Sequence, residues 1–435
     1  MSGERKHVIV LGAGFGGLAA AKALARAPVE VTVIDRRNYH LFQPLLYQVA
    51  TAGLSPADIA WPIRSLFNRQ KNAAVIMAEV TSVDLPAGLV ATTAGDFTFD
   101  DLVVATGARH AYFGHPEWQD FAPGLKSISD ATMLRRRILL ALEKAETTDD
   151  EEERRRLLTF VLVGGGPTGV ELAGALAELT RRALARDFRR INPRNARIVL
   201  VESGDRLLTG FSPSLSAYTA KKLGQMGVEL RFGRPIVDCD ALGVRIADEK
   251  IDSATVIWTA GVAATKVAEW LAVGSDAGGA DAGGADDRGR VRVAPDLSIP
   301  GHPNIFVIGD AATIKDSAGR PVPGTAAAAK QQGRFVGQLI AAGAQGTGER
   351  IFRYRDIGNW ATIGRNAAVI ELGPVRLKGV VAWWVWGTAH ICFLIGVRAP
   401  LLVALQWLWS YATFGKGARL ITGATVEEME RRRIP

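Results

Sequence analysis

Cysteine is almost absent, with only Cys239 and Cys392 in 435 residues. Neither a disulfide framework nor a cysteine metal site can be built from two, and a reducing compartment is expected. Each is expected to be a small buried apolar residue rather than a reactive thiol. No Cys-x4-Cys follows the first glycine-rich turn, which speaks against a disulfide reductase, and the cysteine pair that sulfide oxidation requires has no matching positions. His40, His110, His115 and His390 lack metal-ligand spacing, so no metal is expected and each is read as structural. The first residues, Met1 to His7, contain no apolar signal core before an apolar strand starts at Val8, and a cytoplasmic chain is expected. Nothing resembles a nucleic-acid module, so no nucleic-acid partner is expected.

What is present points to layered α/β structure. The length exceeds one ordinary domain, and 48% hydrophobic residues with 47 glycines suit a folded chain. A net charge of +8 suits an anionic membrane surface, nucleic acid or an acidic ligand without choosing among them. Val8 to Leu11, Gly12 to Gly17, Leu18 to Ala27 and Val29 to Ile34 read as strand, glycine turn, helix and strand. A second copy starts with Phe160 to Val163, turns through Gly164 to Gly169, enters a helix at Val170 and closes with the strand Arg197 to Val201. A basic helical stretch with Arg181, Arg182, Arg186, Arg189 and Arg190 precedes that last strand. Arg135 to Arg156 reads as a solvated linker helix pair. Ser275 to Asp287 repeats Asp-Ala-Gly-Gly-Ala and reads as a mobile loop without chemistry.

The final hundred residues change character. Residues 379–397 and 399–415 carry no charge, and five of the ten tryptophans lie there: Trp383, Trp384, Trp386, Trp407 and Trp409. Tryptophan favours the membrane interface, because its ring is apolar and its N–H needs a polar partner. In residues 399–415, Gln406, Ser410 and Thr413 form a polar stripe at helical spacing, which suits a helix lying in that interface. Lys378, Arg398, Lys416 and Arg419 flank the two segments and suit anionic headgroups. A monotopic anchor on a lipid bilayer surface is the favoured reading, with a transmembrane hairpin second.

Gly12, Gly14 and Gly17 form G-x-G-x-x-G between a strand and a helix, and Asp35 closes the next strand. The glycines permit a tight turn, backbone approach to a pyrophosphate and close helix packing, while the carboxylate suits a ribose hydroxyl. The turn therefore predicts an adenine dinucleotide. Gly164, Gly166 and Gly169 repeat the pattern, and Glu202 would hold two ribose hydroxyls and repel the extra phosphate of NADPH. NADH is preferred on that reading, with Arg206 keeping NADPH open. Two further strands end in polar turns, Leu102 to Gly107 and Asn304 to Asp310.

Four segments, in order, resemble type II NADH:quinone oxidoreductases: residues 38–54, residues 164–174 with Glu171, the Gly309-Asp310 pair, and the Trp-rich tail. The resemblance implies two Rossmann-like dinucleotide-binding domains plus C-terminal membrane-anchoring helices. It implies FAD on Gly12, Gly14, Gly16, Gly17, Asp35 and Arg36, joined by Ala105, Thr106, Gly107, Gly309 and Asp310. It implies NADH on Gly164, Gly166, Thr168, Gly169, Glu202 and Gly261. A membrane quinone would take the electrons. The FAD domain would be discontinuous, residues 1–118 and 290–345, around an NADH domain at 119–289, with a membrane region at 346–435.

Three residues are candidates for catalysis. Glu171 could orient the nicotinamide, relay protons toward the quinone, or favour the helix N-terminus electrostatically. Gln331 and Lys330 stand on a helix beginning near Pro323 to Thr325, where the family carries Ala-Gln-x-x-x-Gln; Gln331 keeps its second glutamine and Ala327 replaces the first. Their plain alternative is an exposed helix face. The resemblance implies an inner-membrane protein on the cytoplasmic face, and a homodimer is left open. The rival readings are a soluble reductase with a protein acceptor and a nucleotide-responsive membrane protein without turnover.

Overall fold

The computed structural model describes residues 5–271, 284–316, 319–343, 351–394, 398–413 and 418–422. Helices α1 (Phe15–Ala23), α2 (Ile128–Thr147), α3 (Pro167–Glu178), α4 (Ala326–Ala342), α5 (Gly379–Phe393) and α6 (Arg398–Thr413) are the ones that position the candidate sites. The chain forms two compact units.

The first unit contains Met1–Leu41, Ala60–Arg109 and Val262–Ile357. Its six-stranded sheet runs Ser298–Ile299, His302–Val307, Asp101–Val104, Lys6–Leu11, Val29–Asp35, Ala73–Met77. Only the short edge strand Ser298–Ile299 is antiparallel. These strands read as near-continuous apolar runs because helices and loops cover both faces. Ile9, Leu11, Leu102, Val104, Ile305 and Val307 are fully buried in one core. Helix α1 starts earlier than the expected Leu18, because Gly14 supplies the extended N-cap and Gly16 and Gly17 already lie in the first turn. It also stops short of Ala27: Ala25 N–H and Ala27 N–H bond three residues back, to Lys22 O and Leu24 O, and the turn tightens before the next strand.

The second unit contains Phe42–Ile59, His110–Gly261 and Gly358–Pro435. Its parallel sheet runs Val228–Arg231, Arg197–Val201, Thr159–Val163, Thr255–Trp258. Val161, Val163, Val199, Val201 and Trp258 share a core with Tyr112 and Trp118. Two helical expectations need correction. Helix α2, capped by a Ser127 and Asp130 box, is no solvated linker: Leu134, Ile138 and Leu142 recur at helical spacing and are buried, and Arg135 is buried with them. The basic stretch is helical only to Ala183, through a single π turn. Glu146 then accepts from the N–H groups of Arg189, Arg190 and Ile191, so those donors leave the helical ladder.

An antiparallel sheet, Asn359–Gly364, Ala367–Leu372 and Val375–Lys378, leads directly into α5. Cys239 is buried, which pushes its thiol up to about 12, whereas Cys392 is exposed on α5, against expectation. Most of the Asp-Ala-Gly-Gly-Ala repeat, residues 275–283, lies outside the described residues, as do residue Lys416 and the side chains of Arg398 and Ser410.

Candidate functional site

The first unit carries a glycine-lined cradle at the C-terminal end of Lys6–Leu11. Gly12 has φ +95°, and a Cβ there would lie 2.5 Å from Ala105 O; a Cβ on Gly17 would lie 1.8 Å from Gly12 O. Gly14, in contrast, has nothing within 4 Å of its Cβ direction, so the backbone can be approached where a pyrophosphate needs to sit. Asp35 accepts from Ala13 N–H at 2.7 Å and from Arg37 N–H at 2.8 Å, so its carboxylate braces the loop. Arg36 beside it is exposed. Gly16 is packed on Ile308 and Ala329 rather than open to a ligand.

Ala105, Thr106 and Gly107 end the strand Asp101–Val104, with Gly107 at φ +71° and open space around it. Thr106 Oγ1 lies 2.6 Å from Thr265 Oγ1. Gly309 has φ +70° and donates its N–H to Gln332 Oε1 at 2.6 Å. Asp310 follows, near Gly324 at the approach to α4. Gln332 was missed by the sequence reasoning, although it adjoins the glutamine singled out. Helix α4 is capped by Thr325, and Gly333 and Gly337 let it press against the backbone of α1 at Gly16 and Ala20. Lys330 is exposed. Gln331 both donates to Arg355 O and accepts from Arg355 N–H, each at 2.9 Å, and so clamps an extended segment. Lys22, in the last turn of α1, is pushed below its usual range by burial and by Lys330. The open Gly14, Gly107 and helix N-termini fit the diphosphate of FAD.

A second cradle occupies the corresponding place in the second unit. Gly164 has φ +108°, a Cβ on Gly169 would lie 1.9 Å from Gly164 O, and Gly166 faces open space. Glu202 accepts from Gly165 N–H at 2.6 Å and Gly204 N–H at 2.7 Å. Thr168 is exposed in the first turn of α3. Arg206 turns back to Phe211 O and Thr209 O, at 2.8 and 3.0 Å. Gly261 has φ +67°, and a Cβ there would strike the ring of Phe113. That donor and acceptor set fits NADH.

Helix α3 continues from this cradle into a partly open cavity of about 180 Å³. Because Gly174 has no side chain, α3 lies backbone-close to Ile363 O on the strand Asn359–Gly364. That approach brings Glu171 to Thr362 N–H at 3.4 Å and Glu178 to Arg365 N–H. Glu171 stands beyond the first turn of α3, which begins at Pro167, and burial pushes its carboxyl up to about 8. A helix-dipole role, which needs the ionised form near the N-terminus, is therefore the weakest of its three readings. Tyr47 is pushed well above its usual value by burial and then by Glu171. Gln48 donates to Tyr47 OH and accepts from Trp407 Nε1, both at 2.9 Å. Trp407 stacks on Trp386, and Trp386 on His390. The structure thus groups Glu171 with tail tryptophans in the second unit; Lys330 and Gln331 belong to the first.

The chain matches a family model described as pyridine nucleotide-disulphide oxidoreductase over residues 6–333. It is 40% identical over 432 residues to type II NADH:quinone oxidoreductase Ndh of Mycobacterium tuberculosis, covering 96% of this chain and 91% of that one. It is 33% identical over 379 residues to the type II NADH:quinone oxidoreductase of Staphylococcus haemolyticus, covering 85% and 90%. The solved structure of NDH2 from Plasmodium falciparum in complex with NADH shares the fold at a TM-score of 0.85 and 20% identity, covering 97% of this chain and 100% of that one. With both dinucleotide cradles formed and 40% identity over 96% of its length, the chain belongs to the type II NADH:quinone oxidoreductase family.

Proposed function

We propose that this member of the family oxidises NADH bound at the Gly164 loop, carries the electrons through FAD at the Gly12 loop, and reduces a membrane quinone. The observation that carries this reading is the double duty of α3. Its first turn forms the Gly164 cradle, and its next turns line a cavity walled by Trp383, Trp384, Trp386 and Trp407. FAD, when bound, supplies a carrier that accepts hydride and yields two electrons to a quinone. The net reaction is NADH + H⁺ + quinone → NAD⁺ + quinol.

In this reading Gly14 and Gly107 would leave the backbone open to FAD, Gly12 and Gly17 close the turn that carries Gly14, Asp35 braces that turn, and Gly309 turns the chain so that Asp310 would meet the ribityl chain. Residues 1–118 and 290–345 would serve FAD, 119–289 NADH, and 346–435 the membrane. Glu202 reads NADH by its ribose, and Arg206, turned onto its own loop, adds no phosphate site. Glu171, neutral at pH 7 by burial, holds a proton that can be given to a quinone oxygen. Gln331 ties α4 to the segment at Arg355, and with Lys330 it is the candidate for the quinone side of the flavin.

The tail is read as a monotopic anchor on the cytoplasmic face. Val381, Trp384, Phe393, Leu401, Leu405, Leu408 and Trp409 are exposed, while Ala382, Trp386 and Val403 face inward. No helix among the described residues is long and apolar enough to cross a membrane. Helix α5, at 15 residues, rises only about 22 Å against a hydrocarbon core of about 30 Å. NADH oxidation should be measured with purified, FAD-loaded protein, with and without a short-chain quinone. Quinone-dependent turnover is expected; flavin reduction without quinone reduction would favour a protein acceptor.

A further inference from the structure

We propose that Glu178 is a second proton station on the cavity, returning a proton through water to Glu171 after each quinone reduction. The inference rests on the reading of Glu171 as the proton donor. Glu171, Ala175 and Glu178 occupy positions i, i+4 and i+7 of α3, one stripe on one face, and all three line the cavity. Seven residues of helix separate the two carboxylates by about 10 Å along the axis, a gap that two or three waters span. A water needs about 10–15 Å³ of such space, and the cavity of about 180 Å³ holds that chain with room left over.

The lining limits which groups can serve. Among the described residues, the titratable or charged side chains lining the cavity are Tyr47, Glu171, Glu178 and Arg365; α5 and α6 contribute only uncharged ones, chiefly tryptophan. Tyr47 holds its proton too tightly to deliver it. Arginine stays protonated at working pH. Glu178 is the remaining acid. Its Oε1 accepts from Arg365 N–H at the turn after Asn359–Gly364, which fixes the side chain at the far end of the stripe.

The proton account balances. The Glu171 carboxyl gives H⁺ to a quinone oxygen and is left as carboxylate. That carboxylate takes H⁺ from the water chain, Glu178 supplies it, and solvent, to which Glu178 is partly exposed, reprotonates Glu178. One proton enters per turnover, while the hydride of NADH supplies both electrons and accounts for the second proton.

The test compares Glu178→Gln, Glu178→Asp and Glu171→Gln as full-length, FAD-loaded protein. Glutamine retains an oxygen for Arg365 N–H, so flavin content and melting temperature should stay near wild type. Stopped-flow flavin reduction by NADH should be unchanged in Glu178→Gln, while quinone turnover falls on the order of tenfold or more, as for loss of a proton-transfer group. That loss should deepen as pH rises, the solvent deuterium isotope effect should grow, and added formate or imidazole should restore rate. Glu178→Asp should recover much of the turnover. A Glu178→Gln enzyme with wild-type quinone turnover, or one slowed without change in pH profile, isotope effect or weak-acid response, overturns the relay. If Glu171→Gln also keeps its quinone turnover and pH profile, the reading of Glu171 fails with it; if only Glu171→Gln is impaired, the relay alone fails.

Discussion

The loops Gly12 to Gly17 and Gly164 to Gly169 repeat one geometry: a first glycine at φ +95° or +108°, an open middle glycine, and a last glycine whose Cβ would lie within 2 Å of the first carbonyl. The acidic residue closing the following strand braces each loop, Asp35 through Ala13 N–H and Glu202 through Gly165 N–H. What differs is what the helix after each loop meets. Helix α1 is packed against α4 through Gly333 and Gly337, a fixed support around a cofactor cradle. Helix α3 instead meets a strand of the C-terminal sheet at Gly174 and carries two carboxylates into a tryptophan-walled cavity. One motif serves as a rigid holder in one unit; in the other it joins a nucleotide cradle to the tryptophan-bearing C-terminal helices.

The strongest way to break this comparison is to fill each last glycine. Gly17→Ala and Gly169→Ala each force a Cβ into a backbone carbonyl, costing about 3 kcal/mol locally. Flavin absorbance should be lost in the first variant, whereas the second should keep FAD but lose reduction by NADH. Truncation before Leu377 sharpens the same contrast. It removes the Trp407 contact with Gln48 and the inner wall at Trp386, so quinone reduction should collapse while FAD stays bound. Full-length protein should leave membranes in detergent rather than in high salt, because exposed apolar side chains at roughly 25 cal/mol per Å² outweigh screened charge.

Glu202→Gln should weaken NADH and narrow its advantage over NADPH by about 1–3 kcal/mol, read as the ratio of kcat/KM values. The smallest expected effect is on stability. Burial holds the Glu171 carboxyl at about 8 in the fold, above its value of 4.5 when exposed. The fold therefore binds more protons than the unfolded chain between those values, and the stability this group contributes below 4.5 is lost as pH rises through 8. Glu171→Gln lacks that loss. Its melting temperature should exceed that of wild type increasingly from pH 5 to 8 and by a constant amount above.

Both glycine loops were legible because left-handed backbone and sub-contact distances admit only glycine, so the requirement is written locally. Asp35 and Glu202 were legible by position, yet their backbone partners needed coordinates. The cavity was not legible. Glu171 meets Thr362 across 191 positions and Gln48 meets Trp407 across 359, pairings that follow from how sheets and helices pack rather than from any local period. The same limit explains Gln331 and Gln332: neighbours in sequence, they face different partners, Arg355 and Gly309, because successive helix residues point about 100° apart. Apolar spacing announced the buried face of α2, but the charges around it masked that face.

Rapid reduction and reoxidation of the flavin in Glu171→Gln test the division of work along α3 most directly. Reduction by NADH should proceed near the wild-type rate, because the Gly164 cradle is intact. Reoxidation by quinone should slow, and its pH dependence near 8 should disappear with the carboxyl that produces it. Equal slowing of both half-reactions, or reoxidation that keeps the wild-type pH profile, would contradict the account.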